Sequence, residues 1–434
     1  MPGAAQVLPQ QGDRLSAETQ DSKLERLMRW HRGETPGPWQ ISFYPTYRCN
    51  IRCKICWKQA FEEPIDRSEE IGAERMMKLV DEGAELGVRE WILGGGGELM
   101  LRSAAVMPMA ERIREHGMNG LIQTNFTRFT DAQLERLVDI GWERLNISLD
   151  GPTEEINDAI RDKNDYAKVV ENIRKMQAIK KARGSETPTL QITSVVTNLN
   201  FDKLKGFIDL SKELGLSPGM LTLVDLIIFG ENDKAFMLSD EQRAQMPGLV
   251  REAIAYAEEL DVACGYVNYL SGVEKGPSLD ALDLFHAPEE TVSPASMCFE
   301  PFYHMVILPD GISGPCCTFY DPDRADSIWK LGLKAVWLGP YMQESRRKLL
   351  QGTPMDYCKE CMLTRIAANQ YTQIEFDRYV VDTALDRPVA LGDIFGRAAR
   401  SLGKHGVAGT LKRGREWLEI RSRARSDRET AGKR

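Results

Sequence analysis

Trp39-Gln-Ile-Ser-Phe43 runs into Cys49-Asn-Ile-Arg-Cys53-Lys-Ile-Cys56, and the reading of that junction decides the fold. The first five residues have the alternating, β-prone character of a strand. The loop after them carries three cysteines in the spacing C-x3-C-x2-C. Structural zinc takes four protein ligands, and an ordinary [4Fe–4S] cube takes four as well. No Cys or His follows this loop until His116. Three thiolates on a four-iron cube leave one iron with an open position, where a reactant can bind. A zinc or redox-sensing loop completed by a distant fourth ligand is the other reading of the same spacing.

Working outward, helical and strand patterns alternate. Helices near 69–86, 103–116, 131–140, 165–182 and 202–214 separate strand-like runs at Glu90–Leu93, Gly120–Thr124, Arg144–Leu149, Leu190–Val196 and Leu221–Ile228. Six strands with crossover helices predict a parallel α/β sheet. Regular βα repetition predicts a partial (β/α)6 TIM-like barrel, with function in the loops after the strands. Ser239 is the expected N-cap of a helix reaching Leu260, and Asp131 the expected cap of the helix to Ile140. The expected units are a flexible or helical extension (1–35), a core (36–230), a connecting helical region (231–297), a small α+β cysteine-bearing domain (298–365), and a C-terminal helix with a basic tail (366–434).

The chain has 434 residues, long enough for a core and a smaller partner domain. Apolar content of 42% and charged content of 28% fit a soluble globular protein. No apolar run reaches membrane-span length and no secretory signal is visible, so the expected location is cytoplasmic. Nine cysteines in two clusters then read as metal ligands in a reducing compartment. Net charge is −8, yet residues 387–434 hold 13 Lys/Arg against 5 Asp/Glu. The acidic body argues against nucleic acid as a partner. The basic tail is a helix packed on its own domain, or else a weak contact with a membrane surface or a protein.

The cysteine loop resembles the signature of the radical S-adenosylmethionine (radical SAM) superfamily. The resemblance implies a catalytic [4Fe–4S] cluster on Cys49, Cys53 and Cys56. It implies that the open iron chelates SAM, and that one electron splits SAM to a 5′-deoxyadenosyl radical which abstracts hydrogen from substrate. Gly94-Gly-Gly-Gly-Glu98 resembles the family's GGE motif, which places Gly96, Gly97 and Glu98 at the amino group of SAM; Leu99 stands where relatives often have Pro. Ser148-Leu-Asp150-Gly-Pro152 with Arg161 resembles the S-L-D-G-P segment of the SPASM and twitch branch, with Asn157 in place of the frequent His. That implies Ser148, Asp150 and Arg161 near SAM's ribose and carboxylate. Asn125, after Thr124, and Thr197, before Asn198, end strands where relatives also meet SAM. Ile55 stands where many relatives carry an aromatic residue.

Cys298, Cys316, Cys358 and Cys361 form a second constellation, with Gly311 giving a G-x4-C spacing to Cys316. It resembles a twitch domain, the shortened SPASM, holding one auxiliary [4Fe–4S] cluster on four cysteines; the spacing by itself also fits zinc. Cys317 competes with Cys316 as ligand. His304–Leu308 and Ile312 predict a β-hairpin between the pairs.

The expected function is a radical SAM oxidoreductase acting on a hydroxylated small molecule, a sugar or aminocyclitol. Oxidation is the expected outcome, or else dehydration or epimerisation, with Cys264 as the hydrogen donor to test. The short stretch before Cys49 favours this over the alternative, modification of a ribosomal peptide. A non-enzymatic iron–sulfur or zinc regulator is the rival. The expected partner is an external electron donor such as flavodoxin or ferredoxin. Oxidation also needs a proton acceptor; Asp225, Glu231, Asp233, Tyr303 and His304 are candidates.

Overall fold

The computed structural model describes residues 22–60, 70–161, 165–216, 220–228, 231–262, 264–266, 269–270, 298–317 and 323–361, together with 319, 321, 369, 372, 376 and 379. The basic tail and most of the helix expected near 362–384 lie outside them. Of that helix, 369, 372, 376 and 379 are described, each helical.

The alternation along the chain becomes a sheet of six parallel strands. These are β1 (Gln40–Phe43), β2 (Glu90–Leu93), β3 (Asn119–Thr124), β4 (Arg144–Ser148), β5 (Thr189–Val196) and β6 (Met220–Asp225). After the helix α1 (Lys23–His31), the crossovers are α2 (Ala73–Glu85), α3 (Ser103–Glu115), α4 (Asp131–Asp139), α5 (Glu154–Ile160), α6 (Asp165–Arg183) and α7 (Leu204–Glu213). Short α8 (Glu231–Lys234) and long α9 (Asp240–Glu259) follow. This is the expected α/β partial barrel.

Side chains one residue apart take opposite faces. Ile41, Phe43, Trp91, Leu93, Leu145 and Ile147 join the large core under the helices. The concave face is polar, with Thr193 Oγ1 donating to Asn146 (2.6 Å) and Gln191 Nε2 to Thr222 (2.8 Å).

Two local expectations change and one holds. The sixth strand ends at Asp225 rather than Ile228. Thr130, not Asp131, caps α4, because its hydroxyl and Gln133 form a reciprocal capping box and Asp131 is the first helical residue. Ser239 does cap α9, with Gln242 as the return partner of its capping box.

Further along the chain, α10 (Glu300–Tyr303) leads into β7 (His304–Ile307) and β8 (Ser313–Gly314), the expected hairpin. The sequence did not show that β7 pairs parallel with β1, from Gln40↔His304 to Phe43↔Ile307. One eight-stranded sheet, ordered β6-β5-β4-β3-β2-β1-β7-β8, therefore runs from the barrel into the second cysteine unit. Single-turn α11 (Ile328–Leu331) and α12 (Leu333–Trp337) precede α13 (Pro340–Leu350). Among the described residues no helix is long and apolar enough to cross a membrane.

Candidate active site at the strand ends

The three cysteines lie in the loop that leaves β1 at the C-terminal end of the sheet. Neighbouring elements hold this loop. Lys54 N–H donates to Ile160 O (3.0 Å) at the end of α5, Cys56 N–H to Cys53 O (3.2 Å), and Asn50 Nδ2 to Thr127 Oγ1 (2.9 Å) after β3. All three thiols are free and half-buried. Burial pushes Cys53 up to about 12; the Arg161 cation opposes this, while Asp150, Cys56 and Cys49 add to it. Burial also raises Cys56. Cys53 and Cys56 thus sit where burial resists a bare thiolate. An iron core of positive charge reverses that preference. Among the described residues no three Cys, His, Asp or Glu side chains converge as the ligands of one metal ion. Three thiols in one loop match the donor set of a [4Fe–4S] cluster with one open iron.

The glycine rim packs directly on this loop. A Cβ at Gly97 would sit 2.0 Å from Arg48 O, and one at Gly96 2.7 Å from Thr46 O, so only glycine allows the approach. Glu98 N–H donates to Arg48 O (2.8 Å), next to Cys49. The Glu98 side chain is 1% exposed. Its carboxylate accepts from Met100 N–H (3.1 Å), from Asn125 N–H (2.9 Å) and from the Thr124 hydroxyl at 2.8 and 2.9 Å. Burial raises its pKa against these donors and Arg161. Asn125 joins the two halves, with Nδ2 3.1 Å from Asn50 Oδ1 and 3.8 Å from Cys49 Sγ.

The residues after β4 and β5 are tied into a second knot. Asp150 accepts from Val195 N–H (2.7 Å) and from Arg161 (3.0 Å), and Arg161 Nε donates to Asp165 (3.0 Å). Desolvation works against the Arg161 cation, but Cys53, Asp150 and Asp165 outweigh it and hold it charged. Thr197 is fully buried and gives its N–H (2.7 Å) and hydroxyl (3.2 Å) to Asn200. Asp150 and Thr197 therefore brace the site, and Ser148, half-buried and in register with Thr193, is the open member of this group.

Two buried residues here had no assigned role in the sequence reading. Asn157 accepts from Asp150 N–H (3.0 Å). Asn200 Nδ2 donates to Asp150 O and Val195 O, both at 2.8 Å. Asn157 had been visible only as a departure from the usual His. Thr197 makes an ST-type turn, its hydroxyl accepting from Leu199 N–H (3.3 Å) while Asn200 accepts from Thr197 N–H, a signal present in Thr-Asn-Leu-Asn. The concave polar residues Gln123, Asn146, Gln191 and Thr222 were also missed, though their alternation within the strands marked them.

In the second unit, Cys298 is half-buried and held well above its ordinary pKa, first by desolvation, with Glu300, Cys316 and Cys361 adding negative charge. Cys316 and Cys358 pack in one cluster with Tyr357 and Phe319. Burial pushes Cys358 up to about 11. Cys316 adds negative charge at Cys298 and shares its apolar cluster with Cys358.

The candidate proton acceptors divide. His304 bridges Ser42 (2.8 Å) and Glu300 (2.6 Å), and Tyr303 donates to Glu300 (2.7 Å), all buried at the base of β1 and β7. Asp225 accepts from Tyr269 (3.1 Å), Glu231 pairs with Lys234 (2.7 Å) in solvent, and Asp233 is buried. Cys264, half-buried against the core, is pushed up to about 12 by desolvation.

Comparison with known proteins follows this geometry. Residues 43–211 match the radical SAM superfamily and residues 298–362 the SPASM iron–sulfur cluster-binding domain. A tungsten-containing aldehyde ferredoxin oxidoreductase cofactor-modifying protein of Pyrococcus furiosus is 27% identical over 37% of this chain and 44% of its own. The mycofactocin maturase MftC of Mycolicibacterium smegmatis is 25% identical over 44% of this chain and 46% of its own. The chain thus spans less than half the length of these relatives. Among solved structures, Streptococcus suis SuiB bound to S-adenosylmethionine superposes with a TM-score of 0.57 at 14% identity, covering 82% of this chain and 80% of SuiB. Native anSMEcpe with bound AdoMet gives 0.53 at 16% identity, covering 80% and 99%. At these identities the superpositions establish the fold.

Proposed function

From a chain that joins a radical SAM domain to a SPASM iron–sulfur domain, we infer an enzyme that cleaves SAM reductively and turns the resulting radical on a peptide substrate. One observation carries the SAM half. Glu98 is a buried carboxylate whose hydrogen-bond donors are all neutral, and Asn125 links it to Cys49. Among the described residues Arg161 is the cation that acts on Glu98, but its own ion pairs are with Asp150 and Asp165; a buried carboxylate bonded only by neutral donors is costly, and an ammonium group is its natural complement.

Cys49, Cys53 and Cys56 would hold the catalytic [4Fe–4S] cluster, and Cys298, Cys316, Cys358 and Cys361 the auxiliary one. Reduced iron–sulfur chemistry supplies the electron that splits SAM and so starts hydrogen abstraction. The protein's own part is placement. Glu98 receives the amino group, Gly96 and Gly97 let the ligand approach the backbone, and Asn125 fixes the distance from Glu98 to Cys49. Arg161 keeps positive charge beside Cys53, and Asp150 and Thr197 brace the strand ends from which Ser148 faces inward.

Two lines support a peptide. SuiB has been solved with its precursor peptide SuiA and anSMEcpe with the Kp18Cys peptide, at TM-scores of 0.56 and 0.53. The maturase relative points the same way. A second reading, a hydroxylated small molecule of sugar or aminocyclitol type, draws on the concave face itself. Asn146, Thr193, Gln191 and Thr222 offer neutral hydrogen-bonding groups that suit hydroxyls as well as amides.

Anaerobic reconstitution tests the common part. The expected product holds about eight irons and, once reduced, converts SAM to 5′-deoxyadenosine. A sulfide-free zinc protein that leaves SAM intact overturns the reading. Peptide and polyol panels, scored by stimulation of 5′-deoxyadenosine release, separate the two substrate classes.

A further inference from the structure

Three neighbouring strands carry uncharged amides at one level of the concave face. Gln123 on β3 is in register with Asn146 on β4, and Asn146 with Gln191 on β5. One level nearer the strand ends, Ser148, Thr193 and Thr222 form a second row across β4, β5 and β6. All six are half-buried, so the rows line open space rather than a packed core. Their mutual bonds use only part of their capacity. Thr193 Oγ1 donates to Asn146 Oδ1 (2.6 Å), which leaves the Asn146 Nδ2 hydrogens over. Gln191 Nε2 donates to Thr222 Oγ1 (2.8 Å), which leaves Gln191 Oε1 over. Adjacent strands lie about 4.8 Å apart, so a donor and an acceptor stand side by side within reach of one ligand group. Among the described residues, charge is kept off these rows. Two residues earlier in the strands, Glu90 is paired with Arg144 and also accepts from Gln40. Toward the rim, Asp150 is paired with Arg161, and Glu98 is bonded by Met100, Thr124 and Asn125. Ile92, Val195 and Val224, on the same face, are apolar and half-buried.

A charged group lowered into these rows would lose its water with no counter-ion to replace it, which is costly. A neutral group that both donates and accepts meets Asn146 on one side and Gln191 on the other. Either amide can also turn over, with the Thr193 or Thr222 hydroxyl reversing its role, so the rows take such a group in either sense. We propose that Asn146 and Gln191 select the substrate group that enters the barrel, and that this group is an uncharged hydroxyl or carboxamide. On a peptide it is the side chain of Ser, Thr, Asn or Gln, not of Asp, Glu, Lys or Arg. Specificity of this kind comes from the penalty on the wrong group as much as from the bonds to the right one. The proposal rests on the radical SAM reading for the place of reaction and names the class of residue its peptide substrate presents there.

The test uses the full chain, reconstituted anaerobically, loaded with SAM and left unreduced, so that binding is read without turnover. The probes are N-acetyl-Gly-X-Gly amides with Ser, Asn, Asp or Lys at X, and myo-inositol as a polyol. Ligand-observed NMR gives their dissociation constants. The Ser and Asn probes are expected to bind at least about ten-fold more tightly than the Asp and Lys probes. Asn146→Asp keeps the size of the side chain and the bond from Thr193 but puts an anion in the row. It is expected to tighten the Lys probe about ten-fold or more and to weaken the Ser and Asn probes. Gln191→Glu shifts them in the same direction. A residue that only maintained the fold would give no such gain for a cation. Equal binding of neutral and charged probes by the wild type overturns the proposal, and so does an unchanged ranking in Asn146→Asp. Neutral probes that do not bind, inositol included, overturn it too. Failure of the parent readings looks different. Inositol that binds while the Ser and Asn peptides do not removes the peptide reading and keeps the selectivity of the rows. SAM that stays whole on reduction removes the radical reading, and the probe ranking, measured without reduction, does not depend on it.

Discussion

Glu98 and the paired cysteines put the chemistry on single side chains. Glu98→Gln keeps the size of the group but removes the anion, and it turns an amide donor toward Met100 N–H or Asn125 N–H. SAM affinity is expected to fall at least about ten-fold, roughly the worth of one charge-assisted hydrogen bond, with circular dichroism unchanged; equilibrium dialysis checks it. Cys316 and Cys317 give a sharper contrast. Cys316→Ser should leave about four irons and Cys317→Ser about eight, by iron and sulfide analysis; the reverse pattern reassigns the ligand. Thiol protonation adds a pH effect. Cys53 stands at about 12 without metal, so it is a thiol at neutral pH, and a cluster binds the thiolate. Assembly therefore releases protons, and cluster affinity rises with pH toward that value. Reconstitution yield at pH 7 against pH 9, with proton release in weak buffer, measures the slope.

At the scale of elements, the site depends on how loops are tied to strand ends. Asp150 joins β4, β5 and the end of α5 through Val195, Asn157 and Arg161. Asp150→Ala leaves the Arg161 cation buried with one partner fewer. Losing one side of a buried pair costs about 3–5 kcal/mol, and because Asp165 stays in place the lower end, about 3, is expected in urea unfolding. Gly97→Ala is a purely steric change. Its methyl would meet Arg48 O at 2.0 Å, which pushes the Glu98 rim off the cysteine loop. Loss of SAM binding together with lower cluster occupancy is the expected result, by dialysis and iron analysis.

At the scale of the whole molecule, the second cysteine unit is welded to the barrel. β7 extends the sheet beside β1, and His304 reaches across to Ser42. Arg346 on α13 adds a second weld. Its guanidinium lies between the rings of Trp30 on α1 and Trp337, at 4.7 and 4.2 Å, and donates to Pro301 O (2.8 Å) and Trp337 O (2.9 Å). Arg346→Ala strips two cation–π faces and two carbonyl partners at once. A loss of about 3 kcal/mol is expected, with an unfolding transition that starts at the auxiliary unit; hydrogen exchange followed by mass spectrometry locates it. Exchange that stays uniform across both units contradicts the weld.

The sequence by itself determined the parallel α/β architecture and the two cysteine groups. Period-two strands, helical crossovers and ligand spacing are local properties, written within a few residues of each other. It also placed Glu98 and Asn125 at strand ends, where the βα pattern sends loops to one side of the sheet. Only the tertiary structure decided that Asn157 and Asn200 brace Asp150. It likewise decided that Thr130 rather than Asp131 caps α4. The pairing of β7 with β1 belongs to the same class, since it joins residues more than 260 positions apart. No local pattern encodes a contact between distant segments: hydrogen-bond partners and burial exist only once the chain has closed.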